Sequence, residues 1–299
     1  GNFAGYFTDM LGNHRLFTAA RITGEIKDLG AEIAYQNLKY RLNFGLSAAH
    51  IAQTSTALKS QNEVDGELTS TFVEIRQFVD RADLVTGYPL SENRRLELST
   101  GYTRIGYDDQ AEVITVEDGR VVERGTAELE TPPPLHLSQT MAAYVADYSF
   151  SGYTSPLRGR RLRLEVEPTV GSLKFLSVWA DARGYLFMGD ILSLAFRAFH
   201  YGRYLGDAES PRLSPLVLGY EGWVRGYSPS SFSSKECENG SCAAFDRLIG
   251  SRIAVMNAEI RLPVLGSGEL GLIDFPYLPL SLLLFFDAGA AWTAADPPE

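Results

Sequence analysis

The sequence predicts an all-β fold, the wall of a transmembrane antiparallel up-and-down β-barrel. Three observations carry the prediction. Segment after segment alternates apolar and polar residues with a period of two, and the polar positions repeatedly hold charges of both signs. Short connections alternate with long ones along the chain. No apolar run approaches the roughly 18 residues that a membrane-spanning helix needs. Barrel strands, with only one apolar face, cross at near-neutral hydropathy, and the mean hydropathy here is -0.08.

About twelve strands are expected, over 1–8, 15–26, 31–36, 40–52, 71–86, 94–107, 139–150, 160–167, 175–188, 191–204, 250–262 and 280–292. Most reach the 9–11 residues that a tilted membrane strand requires, or run longer. In 161–167, Leu162, Leu164 and Val166 share one face and Arg161, Arg163, Glu165 and Glu167 the other. In 175–186, Leu176, Val178, Ala180 and Ala182 oppose Ser177, Asp181 and Arg183; in 191–198, Leu192, Leu194 and Phe196 oppose Ser193 and Arg197. In 253–262, Ala254, Met256 and Ile260 oppose Asn257, Glu259 and Arg261. Burying so many unpaired charges in a small dry core would be costly. The charged face is therefore expected to line a wide, wet lumen and the apolar face to meet lipid. No helix of more than a turn or two is expected.

The connections at 10–13, 37–39, 89–93, 154–159 and 189–190 are tight, whereas 53–70, 108–138 and 205–249 are long. This segregation matches short periplasmic turns and long outer loops. The connection at 168–174 is short for an outer loop, and 263–279 is long for an inner turn. Within 108–138, alternation on both sides of Asp118-Gly119 predicts an extracellular hairpin. Its excess of carboxylates reads as a solvated acidic face.

The net charge of -10 argues against a nucleic-acid partner. Cys237 and Cys242 lie in one polar loop with four residues between them, and read as a short disulfide formed in an oxidising compartment. The chain opens without a starting Met or a basic leader and ends loop-like, so both ends read as cut from a longer exported chain. None of His14, His50, His136 and His200 stands in a recognisable arrangement with a Ser and an acid, and no phosphate loop or metal cluster is present. No catalytic residue, metal or cofactor is expected.

The most informative string is Val224-Arg225-Gly226-Tyr227, inside the long loop 205–249. Two strand-like segments follow, one with Glu259 and the other with Asp287 on its polar face. A loop arginine with two carboxylates on adjacent strands suggests a loop that folds back and is pinned inside. This set resembles the signature of the BamA/TamA-type outer-membrane assembly barrels, the bacterial surface-antigen family, in which a VRG(F/Y) loop enters the lumen and its arginine meets acids on the following strands. Asn257-Ala258-Glu259-Ile260-Arg261-Leu262-Pro263 resembles the family's Asn-x-Glu-x-Arg-x-Pro strand, and Phe285-Phe286-Asp287-Ala288-Gly289 its Phe-x-Asp-x-Gly strand. Gly87-Tyr88-Pro89-Leu90 and the 151–163 turn are also similar to family segments. The turn Thr8-Asp9-Met10-Leu11-Gly12-Asn13 is similar to that of members whose barrel follows a periplasmic β-propeller.

The resemblance implies one outer-membrane barrel domain over 1–299, holding about twelve of the family's sixteen strands, strands two to thirteen. Loop 205–249 would be inserted in the lumen, with Arg225 anchored by Glu259 and Asp287. It implies a non-enzymatic role in inserting or exporting proteins or lipids, with outer-membrane lipid, client membrane proteins and periplasmic assembly factors as partners. The alternative is a passive outer-membrane pore or a structural surface antigen without translocase activity. A pore gives no reason to keep the Arg225, Glu259 and Asp287 set.

Overall fold

The computed structural model describes residues 1–22, 28–64, 67–117, 120–152, 154–189, 191–226, 243–267, 271–275 and 277–297, with the side chains of 55–64, 67–72, 112–117, 120–124 and 243–244 left aside. The chain divides into two compact units. Unit 1 comprises Gly1–Thr86, Ser99–Thr140 and Val170–Leu173; unit 2 comprises Gly87–Leu98, Met141–Thr169 and Lys174–Glu299. Several strands run through both.

Unit 1 is built from β1 (Asn2–Thr8), β2 (His14–Ile22), β3 (Leu29–Asn37) and β4 (Asn43–Val64), the greater parts of β5 (Glu67–Ser91) and β6 (Arg94–Glu117), β7 (Arg120–Glu128) and the start of β8 (Leu135–Asp147). The order follows the chain from β1 to β6, with β8 next and β7 paired to β6 alone. The turn between β1 and β2 is closed by Asp9. Its carbonyl accepts from the Gly12 N–H at 3.0 Å, and its carboxylate accepts from the His14 N–H at 2.8 Å. The His14 N–H holds that carboxyl below the usual range.

One expectation is corrected here. Segment 53–70 is not a loop throughout, since β4 and β5 extend through most of it, and the strand expected to end at 107 runs on as β6 through 117. The β6–β7 hairpin pairs Gln110 with Glu128 and Glu117 with Arg120; its tip, Asp118-Gly119, lies outside the described residues. The reason is length. The 22 residues of β4 span roughly 70 Å at about 3.3 Å per residue, well beyond the ~30 Å hydrocarbon core even when tilted. Polar sequence beyond the core satisfies its backbone by continuing the ladder, as in Thr54, Ser55, Thr56 and Ser60 of β4.

Unit 2 continues with the end of β8, then β9 (Phe150–Ser151), β10 (Pro156–Gly171), β11 (Phe175–Met188), β12 (Leu192–Tyr204), β13 (Leu216–Val217), the one-turn α1 (Ala243–Asp246), β14 (Ile249–Gly250), β15 (Arg252–Gly266), β16 (Ile273–Asp274) and β17 (Leu280–Trp292). Within it the order is β6, β8, β10, β11, β12 and β15, with β17 beside β15. β13 and β14 form a separate two-stranded piece. The long ladders are antiparallel: Arg183 pairs with Arg197, Arg197 with Asn257, and Asn257 with Asp287, and β15–β17 shifts register only between Pro263 and Leu265. Four polar residues thus form one row across β11, β12, β15 and β17.

The pleat separates two chemistries. Leu164, Phe196, Met256, Leu282, Leu284 and Phe286 are exposed on one face. Arg163, Glu165, Asp181, Arg183 and Glu259 form ion pairs on the other. An apolar face this large cannot be left to water and is matched by lipid. Leu164→Arg should lower unfolding stability by about 2–4 kcal/mol, the cost of a lipid-facing arginine near the midplane. Denaturant unfolding in lipid vesicles is the measurement, and a loss below 1 kcal/mol would contradict the assignment of that face.

Candidate functional site

The site lies on the charged face of β11, β12, β15 and β17, where the segment before and through Arg225 packs against it. Its upper layer is apolar. Phe199, Leu218, Val224, Ile253 and Val255 are buried together, flanked by Trp179, Tyr201 and Trp223. Phe199 stacks on Trp223 with centroids 4.3 Å apart, and Trp179 meets Phe199 edge-on at 4.7 Å. The loop approaches so closely that a Cβ on Gly289 would lie 2.7 Å from Leu218 Cδ2 and 3.1 Å from Val224 Cγ2.

Below this layer lies Arg225. Its Nε donates to Asp287 Oδ2 at 2.7 Å and its Nη2 to Asp287 Oδ1 at 2.7 Å, the forked geometry that suits a guanidinium to a carboxylate. Its backbone N–H donates to the same carboxylate at 3.0 Å, and its Nη1 to Glu259 Oε1 at 2.6 Å. The guanidinium carbon also sits 3.9 Å from the centre of the Phe285 ring. The Asp287 side chain is only 2% exposed and receives a further bond from Asn257 Nδ2 at 2.8 Å. Asn257 donates as well to the Trp223 carbonyl, which ties the loop backbone to β15. Gly226 follows with φ +89, a conformation that side chains rarely adopt. The Asp287 carboxylate holds the Arg225 guanidinium more firmly protonated than a free one.

Neighbouring charges are shared rather than isolated. Glu259 bridges Arg225 and Arg261. Arg183 and Arg197 stand opposite one another, a like-charge pairing that Asp181 offsets by accepting from Arg183 at 2.7 Å and Arg197 at 3.0 Å. Together with Tyr185 and Trp223, Arg183, Arg197, Arg225, Glu259 and Arg261 border a cavity of about 250 Å³. The array holds a segment in place. It brings no nucleophile and base together, and among the described residues no group of three His, Cys, Asp or Glu side chains could hold a metal ion.

Of the residues singled out in the sequence, Val224, Arg225, Gly226, Glu259 and Asp287 meet in this site. Tyr227, Cys237 and Cys242 lie outside the described residues. The histidines each have a partner: His14 meets Tyr35, His136 meets Tyr102 and His200 meets Tyr204 and the Ile253 carbonyl. His50 lies 2.6 Å from Asp80, an acidic partner that the sequence did not suggest.

Two features were missed. The apolar layer had a readable signal: near the long-loop ends of β11, β12 and β15, the polar alternation gives way to Trp179, Phe199, Ile253 and Val255 on the inward positions. The second lies in unit 1, where Arg76, 2% exposed, meets Asp28 at 2.9 Å and Glu74 at 2.7 Å. Residue 28 lies 48 positions upstream, and nothing in the local pattern joins it to Arg76.

A sheet with a lipid-matched apolar face, a charged face and a loop clasped to that face defines an outer-membrane β-barrel wall. The chain belongs to the Omp85 superfamily, whose domain matches residues 20–297, and its place is the bacterial outer membrane. In fold it is similar to the crystal structure of BamA from Haemophilus ducreyi lacking POTRA domains 1-3, with a TM-score of 0.53 and 13% identity. That likeness covers 99% of this chain, which spans 63% of the length of the BamA chain. No curated protein matches the chain in sequence.

Arg225→Ala should cost about 3 kcal/mol, the low end for breaking a buried pair, because Asn257 still donates to Asp287 and the arginine is not fully buried. Arg203 is a poor control, since it is itself buried and donates to the Ser214 carbonyl at 2.8 Å. The exposed Arg247 is a better one. Gly289→Val should loosen the same segment by displacing Leu218, without touching a charge. Limited proteolysis within 205–249 is expected to speed up in both variants and not in Arg247→Ala. Equal rates in all three would refute the clasp.

Proposed function

We propose that this chain is the barrel of a protein that inserts or exports proteins or lipids at the outer membrane, with the Arg225 loop pinned in the lumen by Glu259 and Asp287. Membership of the Omp85 superfamily supports the general class. The observation that carries the finer reading is the four-bond grip on Arg225, three bonds to Asp287 and one to Glu259. A passive pore gains nothing from immobilising one loop arginine on two acids. A translocating barrel does, because a fixed loop plugs the lumen and sets the shape of the inner wall while a client passes. The role needs no enzymatic chemistry. Its partners are outer-membrane lipid, client membrane proteins and periplasmic assembly factors. Residues 1–299 act as one barrel domain, with 108–138 as an outer hairpin.

The test is complementation of a depleted strain by the full-length protein. Arg225→Ala should leave outer-membrane clients unassembled at an abundance where Arg247→Ala supports growth. Normal assembly of every outer-membrane protein in the folded Arg225→Ala strain would sink the translocase reading in favour of a passive pore or structural antigen.

A further inference from the structure

The arginines of β10 fall into two sets. On the charged face, Arg161 meets Asp147 at 2.9 Å and Arg163 meets Glu97 at 2.7 Å. Arg158 and Arg160 differ. Both are exposed, and each sits over an aromatic ring: Arg158 is 5.1 Å from the centre of Phe150, and Arg160 is 5.5 Å from that of Tyr148. Among the described residues neither has a carboxylate partner. Phe150 and Tyr148 are themselves exposed.

Local geometry sets this pair of pairs. The Tyr148 N–H donates to the Arg160 carbonyl at 2.8 Å, and Phe150 pairs with Arg158 across β9 and β10. The register shifts between Pro156 and Arg158. Gly159 at φ +104 permits the close approach of the two strands beside it, since a Cβ there would lie 2.1 Å from the Tyr148 carbonyl oxygen. Arg160 shares the parity of Leu162 and Leu164, so it belongs to the lipid-facing surface. Across β8, Asn93 bonds Asp147, the residue before Tyr148. All of these residues stand at the end of the wall that carries the short β5–β6 turn, the periplasmic end.

We propose that Arg158 and Arg160, backed by Phe150 and Tyr148, form a binding site for the phosphate of an anionic phospholipid headgroup in the periplasmic leaflet. The aromatic rings hold the guanidinium groups at the membrane interface, and the aliphatic stems lie along apolar surface. Each guanidinium keeps donors free in the planar fork that matches a phosphate. Two adjacent cations without acids favour a headgroup with net negative charge over a zwitterionic one, whose own ammonium they repel. The inference rests on the outer-membrane location and not on the Arg225 reading, so either can fail alone.

The experiment measures association of spin-labelled phosphatidylglycerol and phosphatidylcholine with the full-length protein in vesicles of unlabelled phosphatidylethanolamine. The native protein should prefer phosphatidylglycerol several-fold at low salt. Arg158→Gln/Arg160→Gln should bring that preference close to one, and Arg247→Gln should keep it. Heat-modifiable gel mobility reports whether each variant is folded. No preference in the native protein would overturn the proposal without any variant, as would full preference in the folded double variant. Added inorganic phosphate should leave the preference unchanged relative to chloride of equal ionic strength. Selective loss in phosphate would mean a free-phosphate site and overturn the lipid assignment.

Discussion

The carboxylate of Asp287 is the point on which the inner architecture of unit 2 depends. It is almost fully buried, and a lone anion there would be costly. Arg225 supplies three of its hydrogen bonds and Asn257 a fourth. Those bonds fix where the segment carrying Val224 and Trp223 must run, and the apolar layer of Phe199, Ile253 and Val255 then closes over it. Glu259 completes the clasp and passes charge balance on to Arg261. The wall supplies the acids and the loop supplies the cation, so neither is electrostatically complete alone.

The same wall solves two solvent problems at once. Its period-two pleat sends Met256, Leu284 and Phe286 to lipid and Asn257, Glu259 and Asp287 inward. A one-residue slip in β15 or β17 would exchange these sets and move the acids into hydrocarbon. The register is therefore specified more strongly here than in a sheet with two polar faces. Arg163, Arg183, Arg197 and Arg261 on the inner face work because each has an acid on its own or a neighbouring strand. Arg158 and Arg160 on the outer face have aromatic rings instead, which suits the interface and would not suit the midplane.

Much of this was legible in the sequence because strands with different faces leave a local signal. Bounds at 175–188 and 280–292 were readable to the residue, since each is a strand-like apolar segment flanked by turn-forming residues. The long strands β4, β5 and β6 were under-read. Once a strand leaves the bilayer its alternation fades into polar sequence that looks like a loop, and only cross-strand pairing shows that it continues. Arg225, Glu259 and Asp287 could be grouped from motif and strand parity alone. The Arg76 cluster could not, because Asp28 lies far upstream and no pattern joins the two.

A double-mutant cycle between Arg225 and Asp287 tests the central claim most directly, using Arg225→Ala, Asp287→Ala and the double variant of the full-length protein unfolded in lipid vesicles. A forked, buried pair should give a coupling energy of about 1.5 kcal/mol or more, within the range for residues in one ion-pair network. Additivity within about 0.5 kcal/mol, the behaviour of independent sites, would mean that the arginine and the acid do not hold each other, and the clasp would have to be abandoned.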